Sequence, residues 1–194
     1  MSIINSYKQF YAPDRKTWRK WLAKNHATTP GIWLIYYRKQ SEKSGVSYND
    51  AVEEALCFGW IDSTMRPLDE SRYMQLFTPR KPKSVWSALN KSRVEKLIAA
   101  GLMTSAGLEK IDISKQNGSW EQLDHIEALI VPTDLAQQLK RSKKATAYFE
   151  SLRKTHKKSI LYWLGSAKRP ETRTKRIEEI YHALKKEMLP EKLR

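Results

Sequence analysis

The sequence predicts an α+β fold, with a small antiparallel sheet of about three strands packed by helices over residues 1–130 and a helical C-terminal module over residues 131–194. Three observations carry this. Residues 32–37 read Ile-Trp-Leu-Ile-Tyr-Tyr, apolar on both alternating faces and rich in strand formers, as a strand covered on both sides requires. Residues 60–66 and 72–78 flank Pro67-Leu68-Asp69-Glu70, a turn composition between two candidate strands, and so read as a hairpin. Beyond Pro132 every apolar stripe has helical spacing.

Taken in order, the first helix starts after Pro13-Asp14, with Trp18, Trp21 and Leu22 on one face that belongs in the core. The turn Thr28-Thr29-Pro30-Gly31 leads into the strand at 32–37. Ser47 lies three residues before Asp50, a capping spacing, and Val52, Ala55 and Leu56 extend a helix over about 48–58, stopped by Gly59. The hairpin follows and ends at Pro79 and Pro82, neither of which can donate to a strand ladder. Ser84 then caps a helix running to Ala100, and residues 104–115 form another, closed by Asn117-Gly118. Residues 119–132 mix acidic and apolar positions and separate the two units. The C-terminal stripes are Ala145, Tyr148, Phe149 and Leu152; Ile160, Trp163, Leu164 and Ala167; and Ile177, Ile180, Tyr181, Leu184 and Met188. Pro170 falls where a first-turn proline is tolerated, and a three-helix module results.

At 194 residues, 40% of them hydrophobic, the chain can bury a core without covalent staples. Its single cysteine, Cys57, excludes an internal disulfide and reads as a small buried hydrophobe suited to a reducing compartment. No signal-peptide core opens the chain, and no apolar run approaches the roughly 20 residues of a membrane span. A cytoplasmic location is expected. The formal charge of +15 divides into two basic lobes, because residues 1–100 hold 17 Lys and Arg against 9 Asp and Glu, and residues 131–194 hold 17 against 7. Such surfaces attract polyanions, phosphorylated metabolites or acidic partners. The four histidines are dispersed without ligand spacing, which argues against a metal, and no cofactor-binding or nucleophile signature is present.

Two basic segments are candidate sites. Residues 77–90 place Arg80, Lys81 and Lys83 just before the expected helix start at Ser84, where backbone N–H groups and the dipole favour an anion, with Trp86 as a flat face and Asn90 nearby. In the plain alternative the prolines turn the chain, the lysines are solvated and Trp86 is core. Asp62, two residues past Trp60 and close to the apolar interior, needs a partner, which Arg66 or Arg80 supplies; it is either half of an ion pair or a ligand-orienting or catalytic carboxylate. In the second segment Arg169, Arg173 and Arg176 share a helical face beside Lys168, either as a ridge that tracks phosphates or as a solvated face.

Residues 55–63 (Ala-Leu-Cys-Phe-Gly-Trp-Ile-Asp-Ser), 77–87 (Phe-Thr-Pro-Arg-Lys-Pro-Lys-Ser-Val-Trp-Ser) and 167–173 (Ala-Lys-Arg-Pro-Glu-Thr-Arg) resemble the YdeI/OmpD-associated family of bacterial proteins. Ala88 departs from that pattern, which has a lysine or another polar residue there. The resemblance implies a bacterial origin and a link to bacteriocin or stress protection, and supplies no reaction, cofactor or catalytic residue. Three functional readings stand: a protein binding an anionic ligand, a phosphorylated metabolite or nucleic acid, through residues 80–84; an enzyme with Asp62 as acid or base; and an adaptor working through the C-terminal basic helix.

Overall fold

The computed structural model describes residues 6–38, 40–41 and 43–194. The chain divides between Gln122 and Leu123, inside the mixed stretch at 119–132, into two compact units.

The first unit is built on a four-stranded mixed sheet of order β1-β2-β4-β3, with β1 at Gln9–Tyr11, β2 at Ile32–Tyr37, β3 at Trp60–Pro67 and β4 at Arg72–Pro79. β2, β4 and β3 pair antiparallel as expected, whereas β1 adds a parallel edge strand that the sequence did not reveal. Three residues are too few for a period, and their pairing exists only once β2 is in place. The register shifts between Asp62 and Met65, so β3 bulges next to Asp62.

Two helices start on local caps. α1 (Arg15–Asn25) begins where the Asp14 carboxylate accepts from the Thr17 N–H at 2.7 Å. α2 (Tyr48–Cys57) begins where Ser47 Oγ accepts from the Asp50 N–H at 3.1 Å. Glu54, 2% exposed, binds them together by accepting from Arg15 Nε and from Arg19 Nη1, each at 2.6 Å. Trp18, Trp60, Phe77 and Trp86 are fully buried in one cluster. Each tryptophan in it has an acceptor: Trp18 donates to Ala51 O at 3.0 Å, Trp60 to His26 O at 3.1 Å and Trp86 to Ser114 Oγ at 2.8 Å. Trp21 is only half-buried, stacked on Trp18.

α3 spans Ala88–Ala99, three residues later than the sequence predicted, and its cap is Ser87, whose Oγ accepts from the Asn90 N–H at 3.3 Å. Ser84 is drawn back into a turn instead, its N–H bonded to Lys81 O at 2.9 Å. α4 (Ser105–Gln116) lies hard against the end of α2: the Thr104 hydroxyl donates to Cys57 O at 2.7 Å, and a Cβ on Gly107 would stand 2.3 Å from that oxygen.

The second unit is entirely helical. It comprises α5 (Asp124–Glu127), α6 (Thr133–Lys140), α7 (Lys143–Ser151), α8 (Lys154–Gly165) and α9 (Pro170–Lys185), with a final short 3-10 turn. The three predicted stripes fall on α7, α8 and α9; α5 and α6 were not predicted. Leu135 and Leu139 of α6 join Phe149, Ile160, Leu164, Ile180 and Leu184 in its core. Met188 is not part of it. The helix stops at Lys185, Glu187 takes a φ of 56°, and Met188 is left 40% exposed.

Candidate functional site

One face of the sheet carries a polar row. Tyr36 and Tyr73 are register partners with stacked rings 5.1 Å apart, Leu34 opposes Gln75, and Asp62 opposes Phe77. Alternation puts Tyr36, Tyr73, Gln75, Phe77 and Asp62 on the same side, the one that α1 and α2 cover. From the start of α2, Tyr48 donates its hydroxyl to Asp62 Oδ2 at 2.8 Å. Gln75, 6% exposed, donates to the same oxygen at 3.3 Å and to Ser63 O at 2.7 Å. Asp62 Oδ1 accepts no hydrogen bond among the described residues.

Arg80 follows the end of β4, its N–H bonded to Gly59 O at 2.9 Å. It is 2% exposed, and its guanidinium lies 3.6 Å over the Trp86 ring. Its Nη1 donates to Val85 O at 3.0 Å and, more weakly, to Ser84 O at 3.4 Å. The other edge of the fork, Nε and Nη2, makes no hydrogen bond among the described residues. These two nitrogens form the edge that a carboxylate or phosphate meets with two parallel bonds. Burial pushes the Arg80 guanidinium down to about 10, and the charge of Asp62 opposes that shift.

Tyr36 is a second buried donor. It is 4% exposed, and its hydroxyl also has no partner among the described residues. Burial, reinforced by Tyr73, Asp62 and Tyr48, pushes its pKa well up, so the group is a neutral phenol. Tyr48 is pushed up to about 12, by burial first and by its bond to Asp62 second. At the rim, Arg93 donates to Asn49 Oδ1 at 2.7 Å and to Asn90 Oδ1 at 3.2 Å. The positive charge of Arg93 reaches the Tyr48 hydroxyl. Chemically the cluster offers a cationic fork, a carboxylate held on one oxygen, and a neutral hydroxyl able to donate or accept.

The predicted site residues therefore separate. Arg80 stacks on Trp86 and feels the charge of Asp62, and Asn90 accepts from Arg93. Of the two expected ion-pair partners, Arg66 lies 5.1 Å over the Trp33 ring, and Arg80 and Asp62 interact through their charges. Trp86 is 2% exposed beneath Arg80 and beside Trp120, so its face is not offered for stacking. Trp60 is 1% exposed in the core. Lys81 and Ser84 point elsewhere, into a cavity of about 590 Å3 whose apolar lining includes Ile61 and Leu76, while Lys83 is exposed. The three cations do not converge on a helix start, since α3 begins only at Ala88.

Much of the C-terminal basic face is held by bonds within its own unit. Arg173 binds both oxygens of Asp134, at 2.6 and 2.9 Å, and Arg176 donates to Trp163 O and, at 2.8 Å, to Ser166 Oγ. Lys168 and Arg169 are exposed. Cys57 is buried, and burial raises its thiol pKa. No group of three or more His, Cys, Asp or Glu among the described residues has metal-binding geometry, and no described helix is long and apolar enough to cross a membrane.

Sequence reasoning missed Tyr36, Tyr48, Gln75 and Arg93. Tyr36 was hidden in an apolar run, and Tyr48 behind a helix cap. The available signal was the period of β2 and β4, which places Tyr36, Tyr73 and Gln75 on the face of Asp62.

Comparison with known proteins gives two family matches. Residues 10–110, just over half of the chain, match the family described as a domain of unknown function, DUF8412. Residues 128–187 match the family described as bacteriocin-protection, YdeI or OmpD-associated. The motifs at 55–63 and 77–87 lie in the first match, and that at 167–173 in the second. No curated protein and no solved structure matches the chain.

Proposed function

We propose that this chain, which belongs to the family of unknown function matched over residues 10–110 and carries a YdeI/OmpD-associated domain after it, binds a small anionic ligand at Arg80. The observation that carries this reading is the buried guanidinium whose Nε and Nη2 edge lacks a protein partner. A buried cation without a partner costs several kcal/mol or shifts its pKa, and such a group is tolerated where it serves a ligand. Trp86 fixes the plane of the fork and the carbonyls of Ser84 and Val85 fix its rotation, so little side-chain entropy remains to be lost on binding.

Depth favours a small ligand over nucleic acid. A phosphate on a polymer backbone reaches exposed cations, whereas Arg80 is 2% exposed. A phosphorylated metabolite or a carboxylate fits this reading. The protective role attached to the family of residues 128–187 is served, on this proposal, by a ligand-sensing first domain.

The test is equilibrium binding by calorimetry with inorganic phosphate, simple carboxylates and a panel of phosphorylated metabolites, on the wild type and Arg80→Met. Binding by the wild type that R80M loses supports the reading. Equal behaviour of the two proteins across the panel defeats it, as does tight binding to nucleic acid that falls steeply with salt.

A further inference from the structure

The sheet of the first unit has a second face, opposite to the one that α1 and α2 cover. Ile61 and Thr78 are register partners, one position out of phase with Asp62 and Phe77, so alternation turns them, with Leu76, away from the polar row. A cavity of about 590 Å3 lies on this face, within the size range of small-molecule sites. Leu76, 3% exposed, forms its floor with the partly buried Ile61 and Pro79, and the exposed Ser63 and Lys81 stand at its rim. The ring of Tyr7 forms one wall. It packs on Gly31, where a Cβ would stand 2.9 Å from Tyr7 Cε2 and 3.1 Å from Thr78 Cγ2.

The polar groups of the cavity are few and suit an anion. Among the described residues that line it, Lys81 is the only one with a charge. Its ammonium has no ion-pair partner among the described residues, and the hydroxyls of Thr78 and Ser84 make no hydrogen bond to them. The turn that carries Lys81 and Ser84 is fixed before any ligand arrives. The Ser84 N–H donates to Lys81 O at 2.9 Å, Pro82 O accepts from Asn117 Nδ2 at 2.8 Å and from Ser119 Oγ at 3.3 Å, and Arg80 Nη1 holds Val85 O at 3.0 Å. A backbone held in this way has little entropy left to lose when the side chains above it bind.

Separately from the Arg80 fork, we infer that this cavity is a binding site for a monocarboxylate with a compact apolar body, of the aromatic-acid type. Its carboxylate meets the Lys81 ammonium and the Ser84 hydroxyl, and its ring lies on Leu76 and Ile61 beside Tyr7. A single lysine matches a single negative charge, whereas a phosphate dianion would bring uncompensated charge against an apolar wall. The apolar floor in turn discriminates against small hydrophilic anions, which gain no buried apolar area there.

The experiment is calorimetric titration of the full chain with naphthoate, with acetate, and with naphthalenemethanol as the uncharged counterpart of the first. Naphthoate is expected to bind the wild type about tenfold or more tighter than either acetate or the alcohol. Lys81→Met is expected to bring naphthoate and the alcohol to within about threefold of each other. Ser63→Trp, which adds bulk at the rim from an exposed position on the edge strand β3, is expected to weaken both by about tenfold or more. Naphthoate that fails to bind the wild type, or an alcohol that binds it as tightly, overturns the proposal. So do K81M and S63W proteins that bind naphthoate as the wild type does, because the acid then sits outside this cavity. Methyl NMR on the wild type needs no variant: the Ile61 and Leu76 methyl resonances are expected to shift with naphthoate, and shifts confined to other methyls overturn the site. Titration of R80M with inorganic phosphate reports on the fork, so the two readings fail separately.

Discussion

The Arg80 guanidinium lies flat against the Trp86 ring at 3.6 Å, and both residues are 2% exposed. One side of the fork, Nη1, holds the chain at Ser84 and Val85, while Nε and Nη2 make no hydrogen bond among the described residues. The cation-π contact offsets part of the cost of burying the charge, about 2 kcal/mol at a desolvated site. It does not supply hydrogen bonds to Nε and Nη2.

R80M therefore stabilises the first domain while abolishing ligand binding. Replacing a buried, incompletely paired charge by an apolar side chain of similar length is expected to raise the unfolding free energy by about 1–3 kcal/mol, read by urea denaturation. The pH dependence has a definite sign. Arg80 titrates at about 10 when folded and near 12.5 when unfolded, so the unfolded state holds more protons between those values and the penalty is relieved as pH rises. The gap between R80M and wild type should narrow from pH 9 to pH 11. A less stable R80M would show that the guanidinium is fully compensated.

Asp62 and Arg80 are expected to couple energetically although they share no bond. In a double-mutant cycle with D62N and R80M, the coupling should reach about 1 kcal/mol, because D62N removes the one nearby charge that favours the buried cation. Additive effects would place the two groups out of range of each other.

Gly107→Ala tests the contact between α2 and α4. The new Cβ would meet Cys57 O at 2.3 Å, a backbone atom that cannot rotate away, and separating the helices strains the bond from Thr104 to the same oxygen. A loss of roughly 1–3 kcal/mol in urea is expected. A neutral G107A would mean that α4 shifts freely along α2.

Asp69 closes the β3-β4 hairpin by accepting from Arg72 Nε at 2.7 Å and from the Ser71 N–H at 3.0 Å. The bond from Arg72 lowers its pKa to about 2, with Ser71 adding to the effect. The ionised form is favoured in the fold, so its contribution is present above about pH 4 and lost as pH falls through 2. By NMR titration the Asp69 midpoint should move up toward 4 in Arg72→Gln. An unmoved midpoint would assign the shift to Ser71.

Elements with a local cause were legible in the sequence. Asp14 and Ser47 cap α1 and α2 through bonds that span three residues, and the alternation of β2 and β4 needs only a buried face. The first basic segment was harder. Ser84 and Ser87 both precede stretches compatible with a helix, and Ser87 became the cap because Arg80 pulls the backbone of Ser84 and Val85 toward itself. Part of the C-terminal basic face is tied down for a similar reason: Arg173 found Asp134, 39 residues away, a partner that helical spacing cannot reveal.

The sequence by itself determined the α+β class, the strand at 32–37, the hairpin, the two capped helices and the resemblance carried by residues 55–63, 77–87 and 167–173, because each depends on neighbours along the chain. Only the tertiary structure decided which way the cations of residues 80–84 turn. Lys81 borders a cavity, while Arg80 is buried on Trp86. That choice follows from where a buried indole and a fixed carboxylate stand in space, and these become neighbours only after strands and helices distant in sequence have packed.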